Sequence, residues 1–232
     1  VVIQWWSPFW APSLAAVAAL LRRRNGAPVV FVCHNILPHE GGGSIVRALT
    51  RVALGRGRWF VVHSDADADA LAALLGVSGR SGDRIRRCAL PALTIAVPID
   101  RATARATLDL PPQSPVALFF GFVRPYKGLA VLIAALPLTL ERVPDLRLIV
   151  AGECWGSSSV YRDQAAALGV ASRIRFEDRY IPNEDVGTYF AAADVVVLPY
   201  LEASQSGIVT QASEAAVPCI VTRVGGLPQV VH

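Results

Sequence analysis

Short, unbroken apolar runs recur through the second half of this chain, at Val116–Phe120, Leu146–Ala151, Ile174–Glu177, Val195–Pro199 and Pro218–Thr222. Between them the apolar residues switch to helical spacing, as in Leu129, Leu132, Ile133, Leu136 and Leu140. Asn183, followed by Glu184 and Asp185, reads as an N-cap with an acidic first turn. Strands that are continuously apolar, rather than alternating, are buried on both faces. The alternation of strand and helix therefore predicts a parallel sheet covered by helices on both sides.

The first half repeats this pattern less regularly. Strands are expected at Val1–Gln4, Val29–Cys33 and Trp59–His63, and helices near Pro12–Arg24, Ser44–Leu54 and Asp65–Leu75. The stretch Leu110-Pro111-Pro112-Gln113-Ser114-Pro115 is the best linker in the chain. Residues 1–108 thus read as one α/β unit, 109–115 as the connection, and 116–232 as a second α/β unit. A cleft is expected between them, with ligands at the carboxyl ends of the strands.

Composition narrows this picture. The chain has 232 residues, 53% of them hydrophobic and 17% charged, which excludes a disordered protein. Val1 opens in mid-strand with no initiator Met, so the sequence reads as a piece of a longer protein, cut at both ends. Phe9–Leu21 is too short to span a bilayer, and Arg124 and Lys127 interrupt the apolar region 116–136. The net charge of +4 is carried by arginine. The runs Arg22–Arg24 and Arg84, Arg86, Arg87 lack interleaved aromatics, so no nucleic-acid surface is expected. Arg22–Arg24 reads as the cationic last turn of a helix, with an anionic membrane surface as the alternative partner. Cys33, Cys88, Cys154 and Cys219 lack metal or disulfide spacing and read as reduced core residues of a cytoplasmic protein. Asp65, Asp67 and Asp69 fail the calcium-loop pattern, having Ala70 and Gly76 where Gly and Glu are needed, and read as an acidic helix start. No metal site and no resident cofactor are expected.

The chemistry gathers in loops that follow strands of the second half. After Val116–Phe120 comes Gly121-Phe122-Val123-Arg124-Pro125-Tyr126-Lys127-Gly128, then a helix; the sole lysine of the chain stands here. A strand ending in Gly, two cations three apart and a helix start together make an anion site, though not a Walker loop, which needs Gly directly before Lys. Ser204-Gln205-Ser206-Gly207 opens another helix after Val195–Pro199, a second cradle for phosphate. Val224-Gly225-Gly226-Leu227-Pro228 lets backbone approach a ligand closely. Three such loops at one end of one sheet point to a diphosphate-bearing ligand.

These residues, with Leu148–Gly152 and Glu153, and Ala193-Asp194 leading into Leu198-Pro199-Tyr200, resemble the donor domain of family-4 retaining glycosyltransferases. The resemblance is strong over 114–231. It extends to Val32-Cys33-His34-Asn35-Ile36-Leu37-Pro38-His39-Glu40, which resembles the acceptor domain's strand and catalytic loop. It implies the GT-B fold, α/β, with two Rossmann-like doubly wound parallel-sheet domains facing across a cleft. It also implies transfer of a sugar from a nucleotide-diphosphate donor to a glycan, lipid-linked or small-molecule acceptor, without a metal. Within it, Lys127 and Arg124 would hold the diphosphate, although many members carry the Arg where this chain has Phe122. Ser206 and Gly207 would bind the distal phosphate, Gly225 and Gly226 would lie near the sugar, and Glu153 with Tyr180-Ile181 near the nucleoside; Gly121 ends the phosphate-loop strand.

His34 would act near the donor sugar, His39 and Glu40 would belong to an acceptor loop, and His63 and His232 read as structural. Trp5, Trp6 and Trp10 read equally as sugar platforms or packing residues. Many members carry two Glu seven residues apart where this chain has Ala203 and Gln211; Gln211 can still bond ribose hydroxyls. A non-catalytic sugar-nucleotide binding module and a GT-B epimerase remain as alternatives.

Overall fold

The computed structural model describes residues 1–37, 43–77, 84–88 and 99–231. The first sheet is fully parallel, in the order β1 (Val2–Trp5), β2 (Val30–Cys33), β3 (Trp59–Val62), β4 (Ile85–Arg87). Helices α1 (Ala11–Asn25), α2 (Ser44–Leu54) and α3 (Asp65–Leu75) make the crossovers. Trp5, Phe31, Phe60, Leu54 and Leu71 fill its core, with the rings of Phe31 and Phe60 stacked 6.2 Å apart. Local chemistry sets the helix ends as expected. Arg22, Arg23 and Arg24 occupy the last turn of α1, and Gly26 closes it with φ of 59°. Ser64 caps α3 by accepting the N–H of Asp67 at 3.1 Å, so the acidic run opens a helix.

Strand β4 was not foreseen. Arg86 and Arg87 are exposed on this short edge strand, and an edge with charged positions carries no apolar signature.

The second sheet comprises β5 (Val116–Phe120), β6 (Arg147–Ala151), β7 (Ile174–Glu177), β8 (Val195–Leu198) and β9 (Cys219–Val221). All are parallel, in the order β7-β6-β5-β8-β9. Every residue of β5 is buried, alternating between two cores: Val116, Leu118 and Phe120 on one face, Ala117 and Phe119 on the other. This is the doubly covered strand that the continuous apolar run predicts. Helices α5 (Leu129–Arg142), α6 (Ser159–Ala167), α7 (Asn183–Ala192) and α8 (Gly207–Glu214) flank the sheet. α5 buries Leu129, Ile133 and Leu136, the positions that its spacing marks. Asn183 begins α7 but makes no side-chain cap; Pro182 holds the cap position. Among the described residues no helix is long and apolar enough to cross a membrane.

Helix α4 (Arg101–Thr107), which the sequence reading places in the first unit, packs on the second. Ala104 and Leu108 are buried in its core. Arg105, 2% exposed, donates to Ala192 O, Pro112 O, Ser114 O and the Asp194 carboxylate. The Pro-rich stretch expected to act as a connection is thereby held against the second unit. Of the cysteines only Cys33 is buried; Cys88 is exposed, and Cys154 and Cys219 lie between.

Candidate functional site

In the second sheet the chain leaves β5 toward β6 on one side and returns at β8 on the other. The carboxyl ends of β5 and β8 therefore bound a crevice at the point where the strand order reverses. Two of the predicted loops meet there. Gly121, at φ of 93°, turns the chain out of β5, and Leu201 N–H donates to Tyr126 O at 2.7 Å, tying the loop after β8 to the loop after β5. Gly128 is required where they touch: its φ is 70°, and a Cβ there would collide with Pro199 O.

Lys127 reaches inward from a short 3₁₀ turn, Pro125–Lys127. Its ammonium lies 5.5 Å from the ring centre of Tyr200 and 3.4 Å from where a Gly121 Cβ would stand, with Ile208 Cδ1 at the same distance from that point. Lys127 Nζ thus lies near the side chain of Ile208, in the first turn of α8 (Gly207–Glu214). Ser206 caps this helix, accepting the Ile208 N–H at 3.3 Å, and its Oγ is 3.4 Å from the Tyr200 hydroxyl. Burial first, and the positive charge of Arg124 second, pull the Lys127 ammonium down to about 8. A half-buried cation near the start of a helix favours the binding of an anion.

Next to this point a cavity of about 200 Å³ is lined by Gly121, Glu153, Tyr180, Ile181, Gly207 and Gln211, among others. Gln211 Oε1 is buried there without a hydrogen-bond donor. An orphaned acceptor in a cavity costs free energy unless a ligand hydroxyl or water fills it. Gly121, Glu153, Tyr180, Ile181, Gly207 and Gln211, six of the residues expected around a nucleoside diphosphate, are thus brought together on this sheet.

Arg124 is placed differently. Its guanidinium stacks over the Trp155 ring at 3.6 Å, and Phe122 meets the same ring edge-on. Gly225 and Gly226 serve backbone packing. A Cβ on Gly225 would strike Ala203 O, and one on Gly226 would strike Ser204 O, the Gln205 amide and Ser64 Cβ. Ser64 belongs to the first unit, so this loop is also where the two halves touch.

On the first unit, His34 follows β2. The parallel register pairs Trp5 with Cys33, Cys33 with Val62, and Val62 with Arg87. One residue beyond, the same register lines up Trp6, His34, His63 and Cys88 along the sheet's carboxyl edge. Trp6 and His34 stack with ring centres 3.7 Å apart, and His34 and His63 are 5.0 Å apart. His34 Nε2 is 2.7 Å from Gln4 Oε1, and His63 Nδ1 is 2.8 Å from Cys88 O. Burial, then the charge of His63, hold the His34 imidazole below its usual value. His63, which the sequence marks as structural, thus neighbours the candidate catalytic His34. Gln205 donates to the His63 carbonyl, and Gln229 Oε1 accepts from Asp65 N–H and from Arg87, bridging the two units. Gln4 and Gln229 carry no sequence signal, and Gln205 was marked only as part of the Ser204–Gly207 loop, because their partners depend on which strands and loops become neighbours. Trp5 is fully buried, whereas Trp10 is exposed. His39, Glu40 and His232 lie outside the described residues.

Comparison with known proteins agrees with this geometry. The chain is 30% identical over 230 residues to the D-inositol 3-phosphate glycosyltransferase of Saccharomonospora viridis, covering 91% of this chain and 52% of that protein. It is 40% identical over 136 residues to the enzyme of the same name from Corynebacterium glutamicum, covering 56% of this chain and 32% of that one. The chain therefore spans about half, or less, of the curated relatives it matches. Among solved structures, Anabaena HepE in complex with UDP superposes with a TM-score of 0.80 at 20% identity, over 100% of this chain and 62% of that one. The lipopolysaccharide glycosyltransferase WaaG gives 0.69 at 19% identity, over 92% and 64%. Both likenesses concern the fold, which is that of GT-B glycosyltransferases. The family profile described as "Glycosyl transferases group 1" matches residues 114–232, the same stretch that carries the Lys127 loop and the Ser206 helix start, and the chain belongs to that family.

Proposed function

We propose that the protein is a retaining glycosyltransferase that moves a sugar from a nucleotide-diphosphate donor to a hydroxyl acceptor. The observation that carries this reading is Lys127 Nζ near the first turn of α8, beside the cavity holding the orphaned Gln211 oxygen. The diphosphate would lie between Lys127, the Ser206 hydroxyl and the first turn of α8. There these groups would oppose the charge that grows as the nucleotide leaves. Gln211 would accept a ribose hydroxyl, with Glu153 and Tyr180 at the rim. His34, on the facing edge of the first sheet, would contact the sugar. The relatives' name suggests a polyol phosphate as the acceptor class.

In this reading the positive charge comes from Lys127 and the helix start, so turnover should persist in a strong chelator. Removing a cation that contacts the transferring phosphate should cost on the order of a hundredfold in rate. Lys127→Ala in the full-length protein should show that loss with a melting temperature that holds or rises, because a buried ammonium is removed. Normal turnover would overturn the reading.

A sugar-nucleotide binding module without catalysis is the second reading. The stacking of Arg124 on Trp155 favours it, because it draws one expected phosphate cation toward an aromatic partner. Donor hydrolysis by the full-length protein separates the two, since a pure binder gives none.

A further inference from the structure

The row Trp6, His34, His63 on the edge of the first sheet has a chemical consequence. Neutral imidazole carries one N–H and one lone pair, and the partner of either nitrogen decides which is which. His63 Nδ1 faces the Cys88 carbonyl, which can only accept, so the proton sits on Nδ1. His63 Nε2 is then a lone pair, and it is buried with no donor against it. That enclosed nitrogen belongs to a ring 5.0 Å from the His34 ring.

His34 is fixed from three sides. Trp6 lies flat on one face of the ring, with an interplanar angle of 10°. His63 crowds it from the next strand. The third contact is polar: Gln4 Oε1 lies 2.7 Å from Nε2. Gln4 pairs with Val32 in the β1–β2 register, two residues before His34, so its side chain is delivered to the same side of the sheet as the imidazole.

We infer that Gln4 is a positioning residue for His34: its amide oxygen accepts Nε2–H, locking the tautomer in which Nδ1 is the lone pair offered to a substrate hydroxyl. This rests on the proposed role of His34. Among the described residues, the other titratable or charged groups nearby are His63 on the adjoining strand end, Cys33 before His34, Cys88 beneath His63, and Asp67 on α3. Asp67 acts on Cys33, where burial first and this carboxylate second push the thiol up to about 12. The Asp65–Arg87 ion pair lies further along the same edge, at 3.5 Å. None of these replaces Gln4 at Nε2.

The test is made on the full-length protein labelled with nitrogen-15, using long-range proton–nitrogen correlation spectra that report the tautomer of each imidazole. The expected result is His34 as the Nε2–H form and His63 as the Nδ1–H form. Gln4→Leu should abolish the single tautomer at His34 and leave His63 as it was. Gln4→Glu, which keeps the shape and adds a carboxylate, should raise the His34 titration midpoint by roughly one unit or more. It should carry the acid limb of any His34-dependent turnover upward by the same amount.

A His34 found as the Nδ1–H form, or one unmoved by both variants, would overturn the role of Gln4. Turnover of UDP-glucose by His34→Ala equal to wild type would overturn the catalytic reading instead, whatever the spectra show. Gln4 is exposed on β1, and both variants retain strand-compatible side chains, so a dispersed amide spectrum verifies that each is folded.

Discussion

The side-chain amide of Gln205 donates to the main-chain carbonyl of His63 at 2.7 Å, joining two residues 142 positions apart. Gln205 lies in the loop that leads into α8 and the Lys127 anion site. His63 lies in the row that contains His34. This hydrogen bond thus links the two halves of the candidate centre, beside the Gln229 bridge to Asp65 and Arg87. Its net worth is about 1 kcal/mol of stability, but its effect on the alignment of reacting groups can be larger.

Gln205→Ala should therefore lower turnover by about tenfold, a misalignment effect, while changing stability by only about 1 kcal/mol. Affinity for UDP, whose candidate contacts are all on the second unit, should stay within about threefold. Paired kinetic and calorimetric measurements on the variant check this. Loss of UDP binding in proportion to turnover would place Gln205 in the donor site itself.

On the proposed placement of the diphosphate, Lys127 should make its binding depend on pH. In the free protein its ammonium titrates at about 8, lowered first by burial and second by Arg124. A bound diphosphate favours the charged form and must raise that value. Affinity for UDP should be level below pH 7, fall as pH rises through about 8, and be accompanied by proton uptake there. Calorimetry in buffers of different ionisation enthalpy reads that uptake directly. The stability of the free protein has the opposite sign: a depressed lysine is a cost below about 8, relieved as pH rises toward the unfolded value of 10.5.

Gln211 should matter to the ligand and not to the fold. Its Oε1 has no donor in the free protein, so Gln211→Leu removes a buried unsatisfied atom. Melting temperature should hold or rise slightly, while affinity for UDP falls about tenfold for the loss of one hydrogen bond to a ribose hydroxyl. Binding of UDP to the variant at wild-type strength would show that the cavity takes something else.

Arg105 carries the largest expected cost to folding. It is buried and makes four hydrogen bonds, one of them to Asp194 at 2.7 Å. Burial pushes the Asp194 carboxyl up, but the Val116 N–H together with Arg101 and Arg105 outweigh it and hold the group below the usual carboxylate range. Arg105→Ala removes the side-chain donor to three backbone carbonyls and takes one of several partners from the Asp194 carboxylate, and should destabilise by about 3–5 kcal/mol. A depressed carboxylate contributes stability above its unfolded value that is lost as pH falls below it. Wild type should therefore lose stability below about pH 4 more steeply than Asp194→Asn, as denaturant titration at several pH values would show.

The elements that could be read from sequence are those whose burial leaves a one-dimensional trace. β5 is apolar at every position because both of its faces are covered, and Leu129, Ile133 and Leu136 repeat at helical spacing because one face of α5 is. Lys127 and Ser206 were legible because a cation or a hydroxyl beside a helix-opening Gly has few other uses. Arg105 was not, since nothing in its neighbours distinguishes a buried arginine from a solvated one. The alignment of Gln4, Trp6, His34 and His63 was not either, because it is a property of register between parallel strands joined by long crossovers. Gly225 and Gly226 were read as letting backbone approach a ligand; the atoms they approach are backbone of Ala203 and Ser204 and side chains of Gln205 and Ser64.

The anchoring of α4 by Arg105 determines where this protein can be divided. A cut after residue 108 would strand Arg105 on one side and Asp194 on the other, exposing Leu108 and Ala104 on one piece and the face of α7 on the other. A cut ahead of Asp100 keeps the helix, its cap on Thr103 and the carboxylate in one piece. Donor halves exchanged between relatives should accordingly be joined upstream of residue 99, so that α4 travels with the sheet it buttresses.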